Sequence, residues 1–470
     1  MKKIKYYSFV LALLTIVGSC KKELDKQPTD SFSDVNAFLT LTDVQLGTNG
    51  AFGRYGAYLN DIYTNALLSD EAKIGSGNGG QGKLTFQYQY SSDATTGGDV
   101  NAGWGGYYAL IDQVNRVLPF VATVTATPAE EPRRNILKAH LLGLRGIAYF
   151  SLLEMYCKTY NPADARGVPI VLVSNPLAKP SRNTMGEVMA RIETDLADAK
   201  SLLPAVTVAN FTDTVMNRVN IAAFQARVAL YKKDYPAAIT YSSEVISSLV
   251  KPLVTGTAFA GIWTDLNTTS TPEVLFRVRY ETSTALGALW TTTGGQYYIN
   301  GSDKLIASYG FGDIRKGIYF GTAGADNFVN KYFSSSRGGR IVHMKVCRTS
   351  EMYLIRAEAY ALQSTPNILL GTADLNTLRT QRITPYVNAT FATATDLVNA
   401  VLDERYKELC FEGFRLFDLK RNNLPVVRLA SDAAPAWQNL PASSYLFVYP
   451  IPAAERAANP NCAQNDNYPQ

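Results

Sequence analysis

Glu408 and Glu412, four residues apart, are the side chains of this 470-residue chain best spaced for acid–base chemistry. A retaining glycosidase needs two carboxyls roughly 5 to 5.5 Å apart, and an i,i+4 pair on one helix face can supply them. Their surroundings point elsewhere. The stretch Glu404 to Arg421, ERYKELCFEGFRLFDLKR, sets its charges among Leu409, Phe411, Phe414, Leu416, Phe417 and Leu419. Charges packed against apolar surface must pair with one another, because an unpaired buried charge is strongly destabilising. The composition therefore predicts a structural network in which Arg405, Arg415 and Arg421 neutralise Glu358, Glu408, Glu412 and Asp418. Gly413 is expected to end the helix, using its freedom at positive φ. Other carboxylates for glycan cleavage would have to come from Asp303, Asp313 and Asp326.

The rest of the catalytic inventory is thin. His140 and His343 are the only histidines, which leaves little for a zinc site of several imidazoles or a Ser-His-Asp triad. His140 is expected on the exposed side of its helix. GxSxG, Walker A and EF-hand patterns are absent, so neither a metal nor a cofactor is expected. Gly75 to Gly80 fits G-x-G-x-x-G by letter. That motif binds nucleotides between a strand and a helix, whereas here a helix is expected before it and a strand-like Leu84 to Tyr90 after it. It reads as a flexible surface loop.

Aromatic residues give the positive signal. Trp104, Tyr107 and Tyr108, and then Trp290, Tyr297 and Tyr298, lie in or beside Gly-rich stretches. Flat rings suit the C–H faces of sugars, with a few polar groups to fix orientation. Trp290, Tyr297, Tyr298 and Asn300 are the expected ligand face, with Trp104 and Tyr108 as further candidates. Trp104, Tyr107, Ile111 and Asn115 also share helical spacing, the mark of a core stripe.

The elements that would carry these residues are mainly helical. Leu137, Leu141, Leu144, Ala148, Leu152 and Met155 repeat with helical period, as do Val188, Ile192, Leu196, Ala199 and Leu203. Thr184 with Glu187 forms a capping box. A small-residue helix, Asn220 to Lys232, is followed through Asp234-Tyr235-Pro236 by Ala237 to Leu249, a pairing similar to tetratricopeptide repeats. Helix pairs are expected over about 37–250 and 347–424. Between them, about 251–346 is loop-rich with short strand-like pieces at Val274 to Tyr280 and Gln296 to Asn300. Rigid scaffolds commonly present binding residues on such loops.

The beginning of the chain reads as an export signal over 1–19. Lys2, Lys3 and Lys5 precede the apolar run Phe9 to Val17, which is about half the length of a membrane span. Val17-Gly18-Ser19-Cys20 resembles a lipobox, so Cys20 is the expected lipid anchor to a bilayer, each buried methylene contributing about 0.8 kcal/mol. Residues 20–36 form a polar tether, and 37–470 is expected to be one domain. Loss of Lys2, Lys3 and Lys5 reduces the 45 basic residues to 42, against an unchanged 40 acidic ones. Nothing in that balance asks for nucleic acid. Cys157 and Cys410 are expected as single buried thiols.

The run ERYKELCFEGFRLFDLKR, the upstream SEMYLIRAEAYA, ADLNTLRTQR at Ala373 to Arg382 and the tail YPIPAAERAANPNCAQNDNY at Tyr449 to Tyr468 together resemble the C-terminal half of the SusD/RagB family. Cys410, Cys462 and the Gln464 to Tyr468 segment depart from its usual pattern. The resemblance implies a mainly α SusD-like fold with tetratricopeptide-like pairs. It implies a non-enzymatic outer-membrane lipoprotein that captures oligosaccharides and delivers them to a TonB-dependent SusC-like barrel, acting as its lid. A peptide-capturing member of the family, a surface glycoside hydrolase and a helical-repeat interaction adaptor are the alternatives.

Overall fold

A computed structural model describes residues 37–469 apart from 94, 267–270 and 293. Cys20, the export signal and the tether lie outside the described residues.

The first half is a stack of helices: α1 (Leu41–Arg54), α2 (Tyr58–Leu68), then, after the short strand β1 (Ala72–Ile74), α3 (Ala102–Thr123), α4 (Glu131–Tyr156), α5 (Met185–Leu202), α6 (Arg218–Lys232) and α7 (Tyr235–Ser247). Their ends are written into the sequence. Thr40 and Asp43 cap α1 reciprocally, as Thr184 and Glu187 cap α5. Asn217 caps α6, Lys233 ends it in the left-handed region, and Asp234 at once caps α7. α4 is the central post: from Leu137 to Tyr156 it is buried at every position but Lys138, with α3 and α5 against it. Small residues let its neighbours approach; a Cβ on Gly143 would meet Ile221 at 2.9 Å.

The middle region holds β2 (Val274–Val278), β3 (Ile299–Gly301), β4 (Phe320–Ala323), β5 (Asp326–Val329) and β6 (Met344–Arg348). One antiparallel sheet runs β1-β3-β5-β4, with Lys73 opposite Asn300 and Asn300 opposite Phe328. β2 pairs with the wholly buried β6, Val274 opposite Arg348. The chain then returns to helices: α8 (Thr349–Leu362), α9 (Ile368–Thr380), α10 (Ala394–Glu408) and α11 (Arg415–Arg421). α8 packs on α7, α9 and α10, joining the two helical regions.

Several expectations are corrected. A strand, β1, precedes the glycine run, and a short helix, Lys83–Phe86, stands where a strand was expected. The context is still not a nucleotide-binding one, since β1 pairs antiparallel with β3. The helix expected to end at Gly413 stops earlier: α10 ends at Glu408 and α11 begins at Arg415, so Glu408 and Glu412 are not helical neighbours. Gly413 lies in the turn between them at φ +91°, with its carbonyl accepting from Asn65 at 3.1 Å. Phe411, also at positive φ, plugs this turn into the core. His140 is buried, not exposed, edge-on to Phe52 at 5.3 Å, and burial pushes its pKa down to about 4. The tail is tied by its amides: Gln464 exchanges two hydrogen bonds with the Ile451 backbone, and Asn465 donates to the carbonyls of Tyr156 and Tyr449.

Candidate functional site

The glycine run is built onto the edge of the sheet. Gly75 N–H donates to the Tyr298 carbonyl (2.9 Å) and Gly77 N–H to that of Tyr297 (3.1 Å), while Asn78 Nδ2 also reaches Tyr298 O (3.0 Å). A Cβ on Gly75 would stand 2.2 Å from the Tyr297 carbonyl oxygen, so glycine here permits close backbone approach. Ser76 and Asn300 both donate to Asp326. Burial alone would raise the Asp326 carboxyl, but those hydrogen bonds outweigh it and lower its pKa.

On this support Tyr297 and Tyr298 remain half-buried. The Tyr297 ring stacks on Phe328 (centroids 4.7 Å apart, 16° between planes), and Phe328 meets Phe333 edge-on at 5.3 Å. Phe328 and Phe333 are themselves half-buried. The three rings make an aromatic platform beside the loop carrying Gly294 and Gly295. Sequence periodicity could not reveal Phe328 and Phe333 as part of it, because the platform forms across strands.

Trp290 and Asn300 are not on that face. Trp290 is 1% exposed, wedged edge-on to Phe411 (5.1 Å) and stacked over Tyr332 (6.2 Å). Asn300 is fully buried and turned to Asp326. Trp104 is core as well, edge-on to Tyr156 at 5.0 Å with its indole N–H on Glu455 (3.2 Å). The partly buried Tyr108 has its hydroxyl committed to the Pro169 carbonyl at 2.8 Å. With Trp290, Asn300 and Trp104 buried, none of the three can offer a face to a ligand.

The carboxylates are committed to cations. Glu408, fully buried, accepts from Arg348 (2.9 Å), from both Nε and Nη2 of Arg382 (3.0 Å each) and from Arg315 (3.1 Å). Burial would raise its pKa, yet the guanidiniums of Arg382, Arg348 and Arg315 hold it well below the usual carboxylate range. Glu412 takes a bidentate pair from Arg348 (2.8 Å each) and Lys331 Nζ at 2.7 Å. Lys331 also sits over the rings of Trp263 (4.2 Å) and Tyr319 (4.0 Å). Arg405 binds Asp418 at 2.7 Å, and Arg421 binds Asp418 and Glu358. The cations on Glu408 and Glu412 therefore come from β6, from short helical turns at Arg315 and Lys331 and from Arg382 after α9, not from Glu404 to Arg421. Arg415 instead clasps Asp70 at 2.7 and 3.0 Å. No local spacing signals these long-range pairs, although Arg382 ends the motif ADLNTLRTQR and Arg348 stands two residues before SEMYLIRAEAYA.

The loop carboxylates are likewise engaged. Asp303 binds Lys73 (2.6 Å), Asp313 takes Arg315 in two hydrogen bonds (2.9 and 2.7 Å), and Asp326 is held by Ser76 and Asn300. A general acid needs a raised pKa and an open approach to substrate. Neither Glu408 nor Asp326 has the raised pKa, and Glu408 has no approach.

Comparison with known proteins places this architecture. Residues 21–230 match the family model described as starch-binding associating with outer membrane, and residues 280–468 match the SusD family model. The chain belongs to the SusD/RagB family. SusD-like protein P38 of Formosa agariphila is 23% identical, across 91% of this chain and 93% of that protein. Among solved structures, a SusD superfamily protein of Bacteroides vulgatus superposes with a TM-score of 0.81 at 22% identity, covering 92% of this chain and all of that one. A SusD-like carbohydrate binding protein of the same organism gives 0.76 at 23% identity, covering 92% and 99%.

Proposed function

We propose that this protein captures intact oligosaccharides at the outer membrane and passes them to a SusC-like TonB-dependent barrel on which it closes as a lid. The observation that carries the reading is the division of labour in the site. The carboxylates weighed for glycan cleavage, Asp303, Asp313, Asp326, Glu408 and Glu412, are held in the scaffold by cations or hydrogen bonds, while the Tyr297–Phe328–Phe333 platform stands on a braced loop. Membership of a family described as starch-binding and associated with the outer membrane supports it, as does the carbohydrate binding attributed to the Bacteroides vulgatus relative. Aromatic faces beside a few polar groups form the ordinary wall of a sugar site. Tyr297 and Tyr298 remain the proposed contacts, joined by Phe328. Acylated Cys20 would hold the lid beside its barrel at high effective concentration. Ligand contacts that favour the closed state would drive closure without chemistry.

The test is isolation of the lipidated protein from outer membranes. Co-isolation of a large barrel is the expected result, with oligosaccharide retention lost in Tyr297→Ala and unchanged in Tyr386→Ala, whose hydroxyl donates to Asn376 of α9 (2.6 Å) and which is no part of the platform. Retention unaltered by Tyr297→Ala, or absence of any barrel, would contradict the proposal.

A further inference from the structure

A cleft of about 570 Å³ opens where the end of α4, the α6–α7 turn and the end of α11 meet the segment 442–448. It continues into a lobe of about 330 Å³, with which it shares Lys158, Thr159, Ser443 and Val448. None of the platform residues lines either part. Both volumes lie within or at the edge of the range of small-ligand sites.

The smaller lobe holds Asp164 and, paired with Arg166, Asp466, whereas the charge of the larger part is one-sided. Lys158, Lys232, Lys233, Lys420 and Arg421 line the larger part, and no carboxylate does. Two of these cations are neutralised from behind, Lys232 by Glu193 (2.7 Å) and Arg421 by Glu358 and Asp418. Lys420 is held by neutral acceptors only, the carbonyls of Glu154 and Cys157 at the end of α4. Burial pushes its pKa down to about 8, which leaves it mainly charged at neutral pH. Lys158 and Lys233 are exposed and form no ion pair among the described residues. The Tyr160 hydroxyl, also of the lining, is buried without a hydrogen-bond partner. Three cations without a carboxylate hydrogen-bonded to them thus line one concavity. The chain without residues 1–19 carries 42 basic and 40 acidic residues, so this is local concentration and not a general excess. Such a cleft focuses the field on an incoming anion.

We infer that this cleft binds the carboxylate or sulfate groups of an acidic oligosaccharide. The inference rests on the oligosaccharide-capture reading and adds a second contact surface with a defined chemistry. A concave site with Tyr160 and the amides Asn161 and Asn423 beside its cations suits a sugar acid better than a flat bilayer, which would meet a planar or convex basic face.

The test is calorimetric titration of the full chain, in detergent, with oligogalacturonate, chondroitin sulfate oligosaccharides, neutral laminari-oligosaccharides and phosphatidylglycerol vesicles. Lys158→Gln/Lys233→Asn removes two exposed charges and keeps a residue tolerant of positive φ at 233; an unchanged melting temperature confirms that it folds. Binding of at least one acidic oligosaccharide, weakened about tenfold or more in the double variant and weakened by added salt, is expected. Equal binding by both proteins would overturn the inference, as would vesicle binding without acidic-glycan binding. Neutral glycans bound and acidic ones refused would overturn it while leaving capture intact. Refusal of every glycan would overturn both.

Discussion

Replacing Arg348 by Met should be among the most damaging single changes in the charged core. The guanidinium makes four hydrogen bonds, two to the Glu412 carboxylate, one to that of Glu408 and one to the Glu408 carbonyl, all at 2.8 to 2.9 Å. Methionine fills much of the space without the charge. Glu412 would be left with Lys331 alone, and Glu408 with Arg315 and Arg382. Removing one partner of a buried set costs about 3 to 5 kcal/mol. Unfolding entropy near 2.1 cal/mol/K per residue gives about 0.9 kcal/mol/K for a chain of this size, so the melting temperature should fall about 3 to 6 °C for one cooperative transition. Scanning calorimetry of wild type, Arg348→Met, Glu412→Gln and the double variant would close a cycle. Glu412→Gln should cost distinctly less in the Arg348→Met background, because its principal partner has gone. A melting temperature within about 1 °C of wild type for Arg348→Met, or strictly additive losses, would refute the network as a scaffold.

Three further outcomes follow from the same geometry. Trp290→Ala should destabilise by about 3 to 5 kcal/mol, since the indole is packed between Phe411, Tyr332 and Tyr63; chemical denaturation would show it, and an unaltered midpoint would return Trp290 to the surface. Glu71 is buried, and burial pushes its pKa up to about 8, opposed by a hydrogen bond from Phe411 N–H. A raised folded-state pKa gives stability that is complete below about pH 4.5 and lost as pH rises through about 8, so Glu71→Gln should gain on wild type by an amount on the order of 4 kcal/mol between about pH 5 and 9; melting curves that stay parallel across that range would contradict this. Gly75→Val should dislodge the loop from Tyr297 and weaken glycan retention more than it lowers stability, measured by gel retardation beside calorimetry.

The helical scaffold was legible because its signals are local. Periodicity predicted α4 and α5, Thr184 with Glu187 marked the start of α5, and Asp234 that of α7. The charges of Glu404 to Arg421 were legible as buried, but the partners of Glu408 and Glu412 were not, since Arg315, Arg348 and Arg382 arrive from 26 to 93 residues away from Glu408. The early end of α10, ahead of Gly413, was hidden because Phe411 at positive φ satisfies a tertiary demand that its type does not advertise. Trp290 looked available because Gly and Thr surround it in sequence; in space its neighbours are Phe411 and Tyr332. The basic cleft escaped notice for a related reason, as Lys158, Lys233 and Lys420 lie in three separate segments, none of which is strongly basic by itself.

The most direct measurement runs the full chain through native gels cast with a panel of neutral and acidic polysaccharides while the same mixtures are assayed for new reducing ends. Retardation by at least one polysaccharide with no rise in reducing ends is the predicted result. New reducing ends that track the protein through purification would contradict capture without cleavage, and would mean that one of the paired carboxylates is released for catalysis.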